Sequence, residues 1–247
     1  MSNEKNELKP VQIKMVKWTP ASPPKLALEF LNRPAILPEA EEAARKILND
    51  IRERGDAAVV EATARFDEVK LSPAKFLVTK AERLAAMDKV DANFKKAAAD
   101  ALARVTKFSR AGLRKDWNIL SPKGGMMGEQ FHPLERVGCY IPGGAAPLAS
   151  TAIMTVGLAK VAGVPEIVAC TPAEKNGRVN PFVLYALDLA GATEIYRLGG
   201  IQAIGAMAYG TKTIRSVQKI VGPGGPYVTA AKKLVYGTVD LDLVAGP

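Results

Sequence analysis

The fold of this 247-residue chain is decided by the sequence VGCYI at positions 137–141, followed directly by the loop sequence PGG at 142–144. Three more short runs of this kind come later, at 166–170, 194–198 and 219–221. Each run is mostly apolar and leads into a loop with Gly or Pro, which is typical of a buried β-strand. The centres of successive runs lie roughly 25–30 residues apart, the spacing that β-α-β units produce.

Helical patterns fill the gaps between the apolar runs. They cover residues 150–162, 181–190 and 202–209, and a fourth follows the last run at 227–236. Short strands that alternate with helices form a parallel sheet with helices on its faces. We therefore predict an α/β fold with a Rossmann-like parallel β-α-β sheet over residues 137–236.

The loops after the four runs predict a ligand site. They carry PGG at 142–144, Thr171-Pro172, Gly199-Gly200 and GPGG at 222–225. In a parallel sheet such loops share the carboxyl edge, where open α/β sheets bind ligands and where backbone N–H groups and helix N-termini favour phosphate. Glycine also simply makes tight strand-to-helix turns. Because the G-x-G-x-x-G fingerprint is absent, the loops alone do not distinguish a nucleotide from another anion.

The first half of the chain has a different character. Residues 1–36 are polar and contain several prolines, which predicts an extended arm. Residues 37–136 predict a mostly helical region with a short strand at 75–79 and a β-hairpin over 118–131, as part of a first α/β unit. Helix starts are indicated by the capping residues Asp56, Thr79 and Asp91.

Composition and charge limit the class of protein. The chain is 48% hydrophobic, which is enough to build a core. No apolar stretch reaches the roughly 18 residues of a membrane helix and no apolar signal segment is visible, so we expect no membrane partner and a cytoplasmic location. The net charge is +9, but the basic residues are dispersed without a nucleic-acid motif. We therefore expect no nucleic-acid partner.

The residues that bind metals or act as nucleophiles are few. There are two cysteines, Cys139 and Cys170, and one histidine, His132. Both cysteines lie in predicted strands, so we expect free buried thiols, and one histidine beside them does not assemble a typical zinc site. The loops at the carboxyl edge also offer no convincing base for alcohol oxidation. We expect no catalytic residue and no metal ligand within these 247 residues.

Four motifs of the second half carry a family resemblance. In chain order they are ERVGCYIPGG at 135–144, GGIQAIGA at 199–206, KIVGPG at 219–224 and AGP at 245–247. This succession resembles the histidinol dehydrogenase family over roughly residues 37–247. The resemblance implies NAD-dependent, zinc-requiring oxidation of the amino alcohol L-histidinol to L-histidine, by two hydride transfers through an aldehyde, in histidine biosynthesis. It also implies a homodimer in the complete protein.

Three positions match cofactor contacts of that family. Tyr140, at the first strand-to-helix turn, and Gln202, at a helix start, correspond to residues that contact NAD, and both types suit such contacts. Gly225 stands where the family commonly has an asparagine that contacts NAD, so only its backbone is left for that contact. Tyr140 as a half-buried strand aromatic and Gln202 as a polar first-turn residue are the structural alternatives.

The resemblance also implies where the remaining chemistry lies. The family's zinc ligands, its catalytic Glu-His pair and a substrate-contacting serine follow the AGP motif, which places them beyond Pro247. Residues 237–247 are then a return strand that begins the remainder, and this chain supplies only the N-terminal, cofactor-binding part. The alternative is a stand-alone α/β module that binds a dinucleotide or a phosphorylated metabolite without catalysis. A protein with a nucleic-acid face is the weakest hypothesis.

Overall fold

A computed structural model describes residues 15–34, 36–143 and 146–244, and it divides them into two compact units that separate after residue 34. The first unit contains helix α1, Lys25–Leu31. The expectation of an extended arm over 1–36 is therefore wrong for this segment. Pro24 is extended and immediately precedes the helix, and the sequence KLALEFL that follows is free of Gly and Pro and rich in helix-forming residues.

The second unit holds the other elements of the described chain. Its helices are α2 Pro38–Arg54, α3 Asp56–Phe66, α4 Lys80–Met87, α5 Ala92–Ala111, α6 Ala149–Val161, α7 Pro181–Ala190, α8 Gly200–Tyr209 and α9 Pro226–Val235. Its strands are β1 Trp117–Leu120, β2 Met126–Glu129, β3 Arg136–Tyr140, β4 Glu166–Cys170, β5 Glu194–Tyr196, β6 Lys219–Val221 and β7 Asp240–Leu241. The four predicted strands and their helices agree with these bounds within one or two residues.

Five strands form one parallel sheet in the order β5-β4-β3-β6-β7, which confirms the predicted fold class. The central strand β3 pairs with β4 on one side and with β6 on the other. The chain builds the sheet outward from β3 in one direction and then crosses back to extend it in the other. The order therefore reverses between β3 and β6, where doubly wound sheets have their ligand crevice.

Both faces of the sheet are buried. Helices α2, α3, α8 and α9 cover one face, and α5, α6 and α7 cover the other. Side chains alternate between the faces along β3, so Val137 and Cys139 point to the second face and Tyr140 to the first. Cys139 and Cys170 are free and buried, as expected, and burial raises the pKa of the Cys139 thiol to about 12.

Local capping signals in the helical region are mostly confirmed. Thr79 Oγ1 accepts a hydrogen bond from Glu82 N at 3.2 Å, and Glu82 Oε2 accepts one from Thr79 N at 2.8 Å, which is the expected capping box. Asp91 caps α5 through Phe94 N. Asp56 is not a cap, because Gly55 occupies that position with φ +56° and Asp56 is the first helical residue.

The strand and the hairpin predicted within residues 37–136 have different outcomes. The strand expected at 75–79 is wrong, since Pro73–Lys75 is a 3-10 turn and only Leu77 makes an isolated bridge, to Tyr196. The hairpin is confirmed as β1 paired antiparallel with β2, and every residue of both strands is exposed. Within the described residues, no helix is long and apolar enough to cross a membrane.

A buried ion pair holds the return strand β7. The strand is shorter than the 237–247 segment predicted for it, and it pairs in parallel with β6. Just after it, Asp242 forms an ion pair with Lys232, a residue of α9 that is only 4% exposed, and accepts a hydrogen bond from Gly222 N at 2.8 Å. Burial alone raises the pKa of Asp242, but the bonds from Lys232, Gly222 and Leu243 outweigh it and lower the pKa.

We expect Asp242→Asn to lower the free energy of unfolding by about 3 kcal/mol, because it leaves the buried Lys232 charge without its partner. Asp240→Asn is the matched control. Asp240 is the first residue of β7, and its carboxylate pairs with Lys219, but that pair is open to solvent. The control substitution should therefore lower the free energy of unfolding by less than about 1 kcal/mol. Urea unfolding of both variants measures the difference, and equal costs would contradict the role given to the buried pair.

The ion pair of Lys232 and Asp242 makes the free energy of unfolding depend on pH. Because the folded-state pKa of Asp242 is lowered, its contribution is fully present above the ordinary aspartate pKa of about 4 and is lost as the pH falls below that value. The stability difference between the wild-type chain and Asp242→Asn should therefore shrink in acid. A difference that stays constant from neutral pH to pH ~3 would count against this assignment.

Candidate functional site

A cavity of about 540 Å³ lies at the carboxyl edge of the sheet. The segments that follow β3, β4 and β5 all contribute to its wall, as the parallel topology requires. Its volume is within the range of small-molecule sites, roughly 300–1,000 Å³. The wall residues that matter for the chemistry are Asp67, Tyr140, Gly143, Pro172, Glu174 and Gly200. Gly144, predicted beside this site, is outside the described residues.

Tyr140 lies in the cavity wall with most of its surface buried. It is 4% exposed, and its Oη accepts a hydrogen bond from Gly200 N at 3.0 Å. Burial raises the pKa of Tyr140 to about 12, and the nearby Asp67 contributes to the rise. The phenol therefore keeps its proton at neutral pH. Because Oη already accepts the Gly200 bond, its own O–H is the group available to donate.

Gln202 comes to the same place from α8. Its Nε2 donates to Asp67 Oδ2 at 3.1 Å, while its Oε1 is buried and has no hydrogen-bond partner among the described residues. The residue is only 1% exposed, so its amide lies behind the cavity surface. A Cβ on Gly200 would come within 2.9 Å of Oε1, and Gly200 has φ +57°. Glycine is therefore needed there for space and for backbone conformation.

Asp67 is the site residue that the sequence reasoning missed. It caps the end of α3, in the region predicted to be mostly helical, and accepts hydrogen bonds from Gly199 N and Gln202 Nε2, both at 3.1 Å. Burial raises its pKa, and these two bonds oppose the rise. More than 130 residues separate Asp67 from its partners. Periodicity and motif spacing carry no signal for such a contact.

The N-terminus of α8 is already occupied by protein groups. Asp67 takes the N–H of Gly199, and Tyr140 takes the N–H of Gly200. The sequence predicts that these glycines present backbone N–H groups to a phosphate. Here those two donors are used within the protein, so the Gly199-Gly200 loop shapes the cavity instead of offering an anion two free N–H groups.

The glycines after β6 have different roles from one another. A Cβ on Gly222 would lie 2.2 Å from the carbonyl oxygen of Tyr140, and φ there is +121°. Gly225 caps α9 with φ −70°, and a Cβ on it would meet no atom within 4 Å. The structure thus brings Tyr140 and Gln202 together around Asp67, whereas Gly225 is not part of that cavity wall.

A second cavity has a volume of about 590 Å³ and is bounded mainly by apolar side chains of α6 and of the segment after the hairpin. It also reaches Val221, at the end of β6, and Asp242. His132 contributes to its wall, whereas Asp67, Tyr140 and Gln202 do not. The carboxyl-edge cavity is therefore the candidate site.

Residues 15–34, 36–143 and 146–244 contain no group of three or more His, Cys, Asp or Glu side chains that could hold a metal ion. The cavity at the sheet edge instead offers a phenol donor, a buried amide and a carboxylate. These are groups for binding polar organic ligands by hydrogen bonds.

The fold and the site together define a Rossmann-like α/β protein with a cavity at the carboxyl edge of its parallel sheet. The model of the family "Histidinol dehydrogenase" matches residues 33–247. The chain belongs to the histidinol dehydrogenase family, which confirms the resemblance seen in its motifs.

Individual relatives agree with the family model. The histidinol dehydrogenase of Symbiobacterium thermophilum is 45% identical over 91% of this chain and 52% of its own length. That of Methanothermobacter thermautotrophicus is 48% identical over 81% of this chain and 47% of its own length. The crystal structure of histidinol dehydrogenase from Elizabethkingia anophelis superimposes with a TM-score of 0.81 at 37% identity, covering 91% of this chain and 52% of that one. The chain thus spans about half the length of these relatives.

Two glycines of the β6–α9 loop should respond oppositely to substitution. We expect Gly225→Asn to be tolerated and to raise the free energy of unfolding by about 0.3 kcal/mol, since space is open and Asn is a good helix N-cap. Gly222→Ala should lower it by about 2–3 kcal/mol through its positive φ and its clash with Tyr140 O. Chemical denaturation measures both, and a neutral Gly222→Ala would contradict the close approach of the two backbones.

Proposed function

We propose that this chain forms the dinucleotide-binding part of an NAD-dependent, zinc-requiring histidinol dehydrogenase. The complete enzyme would oxidise L-histidinol to L-histidine by two hydride transfers and act as a homodimer in histidine biosynthesis. Family membership supports the reaction class. The observation that carries the cofactor assignment is the cavity at the carboxyl edge of the sheet, bounded by Tyr140 at the end of β3 and by Gly200 at the start of α8.

The side chains around the cavity fit a dinucleotide. The O–H of Tyr140 has no acceptor among the described residues and can donate to a ligand, and Gly143 and Gly200 lie in the same wall. Gln202 lies behind the wall and holds Asp67, whose carboxylate can accept a hydrogen bond from the nicotinamide carboxamide or from a ribose hydroxyl. When bound, NAD supplies the hydride acceptor. The residues of this chain bind and orient it.

The described residues do not fit zinc. They contain no cluster of metal-binding side chains, and both cysteines are buried in separate faces of the sheet. We therefore assign no zinc-dependent step to the residues of this chain. We propose that the metal and the groups that remove the substrate protons belong to the part of the enzyme that these 247 residues do not cover.

The second candidate function is binding of a dinucleotide without turnover. What favours it is the same lack of a metal-binding cluster in residues 15–34, 36–143 and 146–244. Both candidates require the cavity to bind NAD. They differ in whether the chain works as part of a catalytic assembly, and an activity measurement separates them.

We expect the 247-residue chain to bind NAD but to form no NADH from L-histidinol, with or without added zinc, because groups for proton removal and metal binding are missing from its site. Fusing the chain to the unmatched part of the Symbiobacterium thermophilum relative should produce zinc-dependent NADH formation. NADH formation by the unfused chain would contradict the division of roles. A fusion that binds NAD without turnover would favour the binding module.

We expect Tyr140→Phe to weaken NAD binding about fivefold, the equivalent of about 1 kcal/mol for one lost hydrogen bond. Tyr196→Phe is the matched control. Tyr196 is also a buried strand tyrosine, but its hydroxyl donates to Glu194 Oε2 at 2.6 Å and not to the cavity. Calorimetric titration with NAD should show an unchanged affinity for the control. Equal weakening in both variants would indicate a general effect of losing a buried hydroxyl.

A further inference from the structure

The charge of the cavity is opposite to that of the chain. The chain carries +9, yet the charged residues in the cavity wall are the acids Asp67 and Glu174, and no Lys or Arg belongs to the described part of that wall. A negative cavity disfavours phosphate groups and favours cations and hydrogen-bond donors. A dinucleotide carries both charges, since the pyrophosphate at its centre is anionic and the oxidised nicotinamide ring at one end is cationic.

Asp67 is a carboxylate in a fixed position whose charge is not balanced by an ion pair within the described residues. Its Oδ2 accepts two hydrogen bonds, from Gly199 N and Gln202 Nε2, and no ion pair with Lys or Arg is found for it in the described chain. A Cβ on Gly199 would lie 2.9 Å from Oδ1 and 2.7 Å from Pro172 Cβ. The carboxylate therefore packs closely against the Gly199-Gly200 turn, which restricts its movement away from the cavity.

The groups next to Asp67 also favour the nicotinamide end of a dinucleotide. Nε2 of Gln202 faces the Asp67 carboxylate, and its buried Oε1, beside Gly200, is an acceptor for which the described residues supply no donor. The two N–H groups at the start of α8 are used within the protein. An acceptor and a negative charge suit a carboxamide and a positive ring, and the absence of free N–H groups there does not suit a pyrophosphate.

We propose that Asp67 is a specificity-determining residue, which directs the nicotinamide end of the dinucleotide into this cavity and makes the site prefer NAD⁺ over NADH. The inference rests on the proposed dinucleotide function and names the orientation and redox form that the cavity selects. Coulomb attraction between the fixed carboxylate and the nicotinamide ring exists only for the oxidised form, because reduction by hydride removes the positive charge of the ring. The site would thereby favour exchange of NADH for NAD⁺.

The test compares dissociation constants of NAD⁺, NADH and ADP-ribose for the 247-residue chain and its Asp67→Asn variant, by calorimetric titration. Asp67→Asn keeps the shape of the side chain and removes its charge. We expect the variant to bind NAD⁺ about five- to tenfold more weakly, while NADH and ADP-ribose, which lack the positive ring, change less than about twofold.

Asp91→Asn is the control for helix capping alone. Asp91 also accepts a backbone N–H at a helix start, from Phe94, but it is remote from the cavity wall. It should leave all three affinities unchanged. Equal weakening of NAD⁺ and NADH by Asp67→Asn would show a merely structural role and overturn the inference, while leaving the proposed function intact. If the wild-type chain binds none of the three ligands, both the proposed function and this inference fail.

Discussion

The double pairing of β3, with β4 on one side and β6 on the other, is the interaction on which the rest of the structure depends. A strand in this position has no free edge and is buried on both faces, so its sequence is mostly apolar and its side chains must suit two different helix layers. The same pairing puts the reversal of strand order between β3 and β6. The loops that leave these two strands run in opposite directions, which opens the carboxyl edge to a ligand.

Buried charges join segments that are far apart in the chain and hold that edge in place. Asp67 connects the end of α3 to the start of α8, and the pair of Lys232 and Asp242 connects α9 to the end of β7. At the opposite edge, the buried guanidinium of Arg136 binds Glu166 and Glu194 and so ties three strands together. Lys232 and Arg136 are paired with carboxylates, and removing such a partner costs more than the pair contributes, whereas Asp67 is held by hydrogen bonds alone.

Membership of the histidinol dehydrogenase family sets the context for these features. The chain spans about half the length of its relatives, and its described residues contain a cavity suited to a polar organic ligand but no metal-binding cluster. In the proposed function the two tasks of a dehydrogenase are divided along the chain. The dispersed positive charge would attract an anionic dinucleotide at long range, and the acidic cavity would then distinguish its two ends.

The sequence by itself determined the parallel α/β fold, since alternating apolar runs and helical patterns at regular spacing have few other solutions, and its motifs identified the family. It also placed Tyr140 and Gln202 at one sheet edge, because strand ends and helix starts share that edge in a β-α-β topology. Only the tertiary structure decided that Asp67 joins them, that the N–H groups of Gly199 and Gly200 are used internally, and that Gly225 stands apart. The hydrogen bonds among them join residues 60 to 135 positions apart, and local patterns do not encode which distant side chain completes a buried hydrogen bond.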